Sequence, residues 1–190
     1  MNRIAAAALL LALLLLSAGC LVQSVQPWLA PDTCVPKPAL LGAWYDANGK
    51  CAMFFTGTAT NYAVLMVGDG EEVTRFTATL HRIDKTLLLM FGAQDGGLPD
   101  VAAAIPVHYL FKVKLSGKSL KLFNINLDDF EARAEKAQMP LLPDGSRNNG
   151  YILAGSTADA EAFLRAQLPD PKFFDPKPLF SFRKLPAPAP

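Results

Sequence analysis

The sequence predicts a mainly β fold, a curved antiparallel meander or barrel with two helices packed on it. Seven segments have the composition of strands, short links containing Gly, Asn or Asp join most of them, and apolar and polar residues alternate within them. Short links between consecutive strands favour antiparallel pairing, because parallel strands need long crossovers. The candidate strands are residues 40–45, 51–57, 61–68, 73–82, 86–92, 105–115 and 118–124.

The alternation is clearest in residues 105–115, where Leu110 is the one apolar residue on the polar face. One apolar and one polar face are typical of a curved sheet that is solvated on one side. The apolar face comprises Val107, Tyr109, Phe111, Val113 and Leu115.

Two helices are predicted after the strands, over residues 127–138 and 157–168. Asn126 is the expected N-cap of the first helix. Ser156 and Asp159 have the spacing of a capping box at the start of the second. Short strands are expected at residues 151–154 and 179–183.

The amino terminus has the pattern of an export signal. Residues 1–3 include Arg3, and residues 4–16 are an unbroken apolar run that is too short to span a bilayer. Small residues then precede Cys20, and this junction resembles the lipobox of bacterial lipoproteins. The resemblance implies cleavage of residues 1–19, a diacylglycerol on the Cys20 sulfur and an acylated amino group. The alternative is an ordinary signal in which Cys20 is a plain residue.

This resemblance also implies a location. Leu21, and not Asp, follows the cysteine, which in a Gram-negative host suggests an outer-membrane lipoprotein that faces the periplasm. We therefore expect the protein to be attached to the membrane by fatty acyl chains, such as palmitate, on Cys20.

The remaining chain divides into a tether, one domain and a tail. Residues 20–38 contain Pro27, Pro31, Pro36 and Pro38, which predict a stiff tether without regular structure. Residues 39–185 form the single β domain, and the Pro-Ala repeat of residues 186–190 predicts a disordered tail.

Charge and cysteines limit the functional classes. The chain has 18 basic and 17 acidic residues, and Arg3 lies in the signal, so the mature chain is formally neutral. A neutral chain without basic runs argues against nucleic acid as a partner. Cys34 and Cys51 remain in an exported protein, which predicts a disulfide between them; two separate thiols are the alternative.

Gly42-Ala43-Trp44 begins the first strand of the meander. This motif and the strand pattern resemble the lipocalins, in which a Gly-x-Trp motif closes the base of the barrel and an Arg on a late strand covers the Trp. The resemblance implies that Arg183 covers Trp44. The chain departs from that family by inserting a helix, a strand and a second helix before Arg183, and its overall order is similar to uncharacterised bacterial envelope lipoproteins.

No group of residues predicts catalysis, a metal site or a cofactor. His81 and His108 fall on the polar faces of strands and are expected to be exposed, without a third ligand to complete a metal site. Asp128, Asp129 and Glu131 are better explained as first-turn residues of a helix than as paired acid–base groups. We therefore expect a protein that is not an enzyme.

Two functional classes stay open, and the aromatic residues of the strands bear on both. They either line a cavity for an apolar small molecule or lipid, or fill the barrel of a scaffold or protein-interaction module. An envelope protein partner belongs to the second class. The aromatic residues in question are Phe54, Phe55, Tyr62, Phe76, Phe91, Tyr109, Phe111 and Phe123.

Overall fold

The computed structural model describes residues 21–46, 49, 51–68, 73–93, 107–143 and 151–186. The predicted signal, Cys20 and the end of the predicted tail lie outside the described residues. The strands are β1 (Gln23–Ser24), β2 (Gly42–Asp46), β3 (Cys51–Gly57), β4 (Tyr62–Gly68), β5 (Val73–Ile83), β6 (Thr86–Ala93), β7 (His108–Ser116), β8 (Ser119–Phe123), β9 (Leu141–Pro143), β10 (Tyr151–Leu153) and β11 (Phe180–Lys184). The helices are α1 (Phe130–Lys136) and α2 (Thr157–Gln167).

Eight of these strands close into an antiparallel barrel. Their order is β6-β5-β4-β3-β2-β11-β8-β7, and β7 pairs back onto β6. The predicted fold class is therefore confirmed. The sequence pattern missed β1 and β9, which are only two and three residues long. Strand β1 pairs with the part of β7 that β8 does not reach, and β10 and then β9 continue the sheet outward from β1.

The strand directions define two ends of the barrel. Strands β2, β4, β6 and β8 begin at one end, here named the closed end, and finish at the other, here named the open end, where residues 69–72 and 94–106 lie outside the described part of the chain. A 3-10 turn, Pro38–Leu40, lies across the closed end. The Trp44 indole N–H donates to the Leu40 carbonyl at 2.7 Å, and the Lys37 N–H donates to the Ala59 carbonyl at 3.0 Å. The base of the barrel is thus closed by hydrogen-bonded backbone.

Two hydrophobic cores share the barrel wall. The inner core fills the lower barrel with residues such as Trp44 and Phe182. The outer core lies between the wall and the two helices and includes Leu88, Met90 and Leu110. Leu110, the exception to the predicted alternation, faces outward because helices cover that wall. The helices therefore pack on the outside of the wall and not on an opening of the barrel.

The amino-terminal segment is packed along the barrel, so the prediction of a tether is wrong for residues 21–38. Trp28 and Leu29 are fully buried in the outer core, and the Trp28 indole N–H donates to the His108 carbonyl at 3.2 Å. The prolines limit regular structure to β1 and short 3-10 turns, but they do not prevent apolar side chains from packing.

The structure confirms the predicted start of the second helix but places the start of the first helix later in the chain. Helix α2 begins after Ser156, and the predicted capping box with Asp159 is confirmed. Helix α1 begins only at Phe130, because the Asn126 side chain accepts from the Asp128 N–H at 3.0 Å and forms a local turn instead of a cap.

Candidate functional site

An apolar cavity lies in the open half of the barrel. Its volume is about 150 Å³, and Leu21 of the amino-terminal segment contributes to its lining. Among the residues that the structure describes, its lining contains no charged side chain, and the Tyr109 hydroxyl is the one polar side-chain group. The lining residues are Leu21, Met53, Met66, Phe76, Phe91, Tyr109, Phe111, Leu122 and Phe180.

Strand alternation explains why these side chains converge. Met53 pairs with Met66 across β3 and β4, and both point inward because the same faces carry buried Phe55 and Val64. Across β6 and β7, Phe91 pairs with Tyr109 in the same way.

Aromatic rings line the cavity and form part of its floor. Phe91 contacts Phe76 and Phe111 edge-on, with ring centroids 5.7 and 5.8 Å apart, and Phe111 contacts Phe180 at 6.4 Å. Such edge-to-face pairs contribute stability beyond the burial of area. The packed rings therefore define one side of the cavity.

The predicted aromatic set divides among several places. Phe76, Phe91, Tyr109 and Phe111 line the cavity, whereas Phe55 and Tyr62 fill the barrel below it. The other two members of the set, Phe54 on the outer surface and Phe123 in the outer core, take no part in the cavity. The barrel is thus filled at its closed end and hollow at its open end.

Trp44 is fully buried, as predicted, but the prediction that Arg183 covers it is wrong. The Lys184 ammonium lies 5.2 Å from the centroid of the Trp44 ring, and Arg183 is exposed on the outer face. Successive side chains of a strand point to opposite faces of the sheet. Phe182 points into the barrel, so Arg183 points outward, and Lys184 points inward against the Trp44 indole. Gly42 has φ +114°, and a Cβ there would lie 3.3 Å from Lys184 Cε, which explains the glycine.

The predicted disulfide is wrong, because Cys34 and Cys51 are free thiols at opposite ends of the barrel. Cys34 forms a bridge to His81 near the end of β5, whereas Cys51 pairs with Gly68, next to the start of β5. The separation along the sheet is on the order of 25–30 Å, far beyond the reach of a disulfide. Burial raises the pKa of both thiols, with added repulsion from Asp32 at Cys34 and from Asp46 at Cys51.

His81 is buried and not exposed as predicted, because residues 31–35 cover this part of the outer wall. Its Nδ1 and Nε2 each lie 2.8 Å from a hydroxyl, those of Thr33 and Thr79 respectively. The Cys34 sulfur is 3.7 Å from Nδ1 and 3.8 Å from Nε2, and burial raises the pKa of this thiol. This arrangement holds a neutral imidazole and does not activate the thiol.

The acidic group at the start of α1 is structural. Arg133 Nη2 lies 2.7 Å from the Asp129 carboxylate and 2.6 Å from that of Asp170, and Nη1 donates to the Gln167 side chain at 2.9 Å. The hydrogen bond from Arg133 lowers the pKa of Asp129. Glu131 accepts from the Tyr151 hydroxyl at 2.7 Å, whereas Asp128 is exposed. These contacts connect α1 to its neighbours, because Arg133 bridges the Asp129 and Asp170 carboxylates.

His108 is half-buried at the start of β7, and burial lowers its pKa. Within the described ranges, no group of three or more His, Cys, Asp and Glu side chains could hold a metal ion. None of the helices that the structure describes combines the length and apolar character needed to cross a bilayer.

Comparisons with known proteins give no relative. No family model, curated protein or solved structure matches this chain. The cavity and its position in the barrel therefore carry the functional argument.

Proposed function

We propose that this protein is a lipid-anchored, non-catalytic component of the bacterial envelope that binds the end of an apolar chain in the open half of its barrel. The cavity of about 150 Å³, whose described lining residues are all uncharged, is the observation that supports binding. The lipobox-like junction before Cys20 supports the anchor. The lipocalin-like barrel with a closed base suits a ligand that enters from one end.

The cavity size limits the ligand. A dry cavity of about this volume accommodates a six-carbon ring. At about 0.8 kcal/mol per methylene, six buried carbons contribute on the order of 5 kcal/mol, which corresponds to a Kd of roughly 0.1–1 mM. The protein should therefore hold the terminal part of an acyl chain and exchange it readily.

Binding is tested with the Cys20→Ala protein and a fluorescent polyunsaturated fatty acid. Met66→Trp would fill the mouth of the cavity and should abolish the fluorescence increase. Leu65→Trp places the same ring on the outer face of β4 and is the matched control. Equal binding by the two variants, or none by the parent, would exclude the cavity as the ligand site.

The anchor is tested separately by labelling cells with radioactive palmitate. The wild-type protein should be labelled and Cys20→Ala should not. Equal labelling of the two proteins would remove the lipoprotein interpretation without affecting the binding experiment.

A protein-interaction module is the second candidate. Tyr45 and Phe54 are exposed on the outer face of β2 and β3, with 44% and 37% of their surface accessible. Their strands are paired, and the register places them diagonally, within contact range of one another. Cross-linking from these two positions in cells would capture a partner protein if this candidate is correct.

A further inference from the structure

We propose that a basic groove on the outer wall, near the closed end of the barrel, binds a phosphorylated saccharide. This inference goes beyond the proposed function, because it uses neither the apolar cavity nor the lipid anchor. Three features support it: the charge of the groove, the pairing of cations with hydroxyl groups across its strands and the polar character of its exposed lining.

The groove lies on β7, β8 and β11, where these strands run side by side. Its volume is about 640 Å³. Small-molecule sites have volumes of about 300–1,000 Å³, so the groove is large enough for a sugar phosphate. Four of its eight lining residues are basic and three are serines, and none of these described residues is acidic. The lining residues are Ser116, Lys118, Ser119, Lys121, Ser181, Phe182, Arg183 and Lys184.

Three of the four cations are available to a ligand. Lys118, Lys121 and Arg183 are exposed, and within the described parts of the chain none of them takes part in an ion pair. The fourth, Lys184, is held by the Trp44 ring and the carbonyl of the closing turn. The groove therefore presents three cations to solvent.

The described residues of the neighbouring strands do not neutralise this charge. Asp46 on β2 pairs with Phe182, whose side chain faces the interior, and Asp46 is itself buried. On the other side, Lys114 lies directly opposite Lys121. Like charges in such a pair destabilise a sheet, and the Lys114 ammonium lies 5.2 Å from the Phe123 ring. The fold thus retains like charges that do not stabilise it, which is typical of a site for an anion.

Two of the cations each face a serine across the β8–β11 pair. Lys121 pairs with Ser181, and Arg183 pairs with Ser119. All four side chains lie on the outer face, because Phe182, between two of them, is buried. Opposite side chains of paired strands are about 5 Å apart and diagonal ones about 7 Å. Lys121 and Arg183 form such a diagonal, so both can reach one phosphate group that the two hydroxyls border.

The chemistry of the lining distinguishes a phosphorylated saccharide from other anions. Lysine and arginine can only donate hydrogen bonds, and they bind phosphate oxygens. Serine hydroxyls both donate and accept, as the hydroxyls of a sugar do. A nucleotide base needs an aromatic side chain for stacking, and a membrane surface needs apolar side chains that insert into it. The described lining exposes neither kind, since its one aromatic residue, Phe182, is buried.

The test uses the Cys20→Ala protein at low salt and follows backbone amide signals by NMR during titration with glucose 1,6-bisphosphate. Hexane-1,6-diol bisphosphate carries the same phosphates without the sugar hydroxyls, and glucose carries the hydroxyls without the phosphates. The groove variant is Lys121→Gln with Arg183→Gln. The matched control, Arg82→Gln with Lys85→Gln, removes the same charge from exposed positions on β5 and the turn after it.

We expect glucose 1,6-bisphosphate to shift the amide signals of Ser119, Lys121, Ser181 and Arg183 and to bind more tightly than hexanediol bisphosphate. Glucose should cause no shifts. The groove variant should bind at least about tenfold more weakly than the parent, because it loses two charge-assisted contacts. The control variant and the cavity variant Met66→Trp should bind like the parent.

Absence of binding by the parent would overturn the proposal. Equal losses in the groove and control variants would also overturn it, because net charge alone would then explain the binding. Equal affinities for the two bisphosphates would exclude a saccharide as the ligand. Loss of binding in Met66→Trp would place the ligand in the barrel instead. Binding of the parent to phosphatidylglycerol vesicles that is absent in the groove variant would assign the groove to a lipid surface.

Discussion

The Lys184 ammonium lies 5.2 Å above the Trp44 ring and donates a hydrogen bond to the Ala39 carbonyl at 2.7 Å. One side chain therefore joins the last strand of the barrel to the buried indole and to the 3-10 turn that closes the base. The Trp44 indole contacts the same turn through Leu40.

Trp44→Ala should destabilise the protein by about 3–5 kcal/mol, because it removes a fully buried large aromatic side chain. Lys184→Ala should cost about 0.5–2 kcal/mol, and the two effects should be non-additive because they share a contact. Arg183→Ala, one residue away but exposed, should change stability by less than about 0.5 kcal/mol. A double-mutant cycle in urea measures these values, and a coupling of Trp44 to Arg183 instead of Lys184 would contradict the structure.

Acidification should destabilise the protein through His81. Burial lowers the pKa of His81 in the folded protein, although Glu161 and Asp32 act in the opposite direction. An unfolded histidine titrates near pH 6.5, at about its unperturbed pKa, so below that pH the unfolded state binds a proton that the folded state does not. The free energy of unfolding should therefore fall as the pH drops below about 6.5 and should be insensitive to this group above about pH 7.

Urea unfolding between pH 8 and pH 5 tests this. His81→Gln, whose amide can still bond to Thr33 and Thr79, should reduce the pH dependence. Some dependence should remain, because burial also lowers the pKa of His108. An unchanged slope in His81→Gln would show that other groups cause the loss.

Both cysteines of the folded domain should be titratable thiols without a reductant. Ellman's reagent should detect Cys34 and Cys51 in the denatured protein, and one thiol fewer in Cys51→Ser. In the folded protein both should react slowly, because burial raises the pKa of each and disfavours the thiolate. Thiols that appear only after reduction would mean that the cysteines are oxidised, against the structure.

Trp28→Ala should cost about 3–5 kcal/mol, as expected for a fully buried residue of the core. Gln26→Ala, at an exposed position in the same segment, should have an effect below about 0.5 kcal/mol. Thermal or urea unfolding distinguishes the two. A negligible effect of Trp28→Ala would show that residues 21–38 form a tether after all.

Local sequence features predicted those parts of the fold that depend on neighbouring residues. Alternation placed Phe111 and Val113 on the inner face of β7, and the Ser156 and Asp159 pair located the start of α2. Each of these signals acts within a few residues, so the sequence contains the whole cause. Arg183 was wrongly assigned because a strand's parity depends on which neighbour is fixed inside the barrel, here Phe182.

The sequence could not predict which residues of the outer wall are buried. It also could not predict where in the barrel the cavity lies. The polar face of the strands predicted that His81 is exposed, but a segment nearly fifty residues earlier in the chain, Thr33 and Cys34, covers it. Similarly, nothing local distinguishes Phe55, which fills the base, from Phe91, which lines the cavity. That distinction depends on the register of eight strands and on the turn that occupies one end.

The sequence by itself therefore determined the β-rich architecture, the two helices and the lipobox-like motif before Cys20, because each depends on periodicity or on a short motif. The tertiary structure alone decided that the barrel is filled at one end and hollow at the other. It also decided that Leu21 lines the cavity and that Cys34 and Cys51 are far apart. These features arise from contacts between residues that are distant in the chain, and their cause is the closure of the sheet.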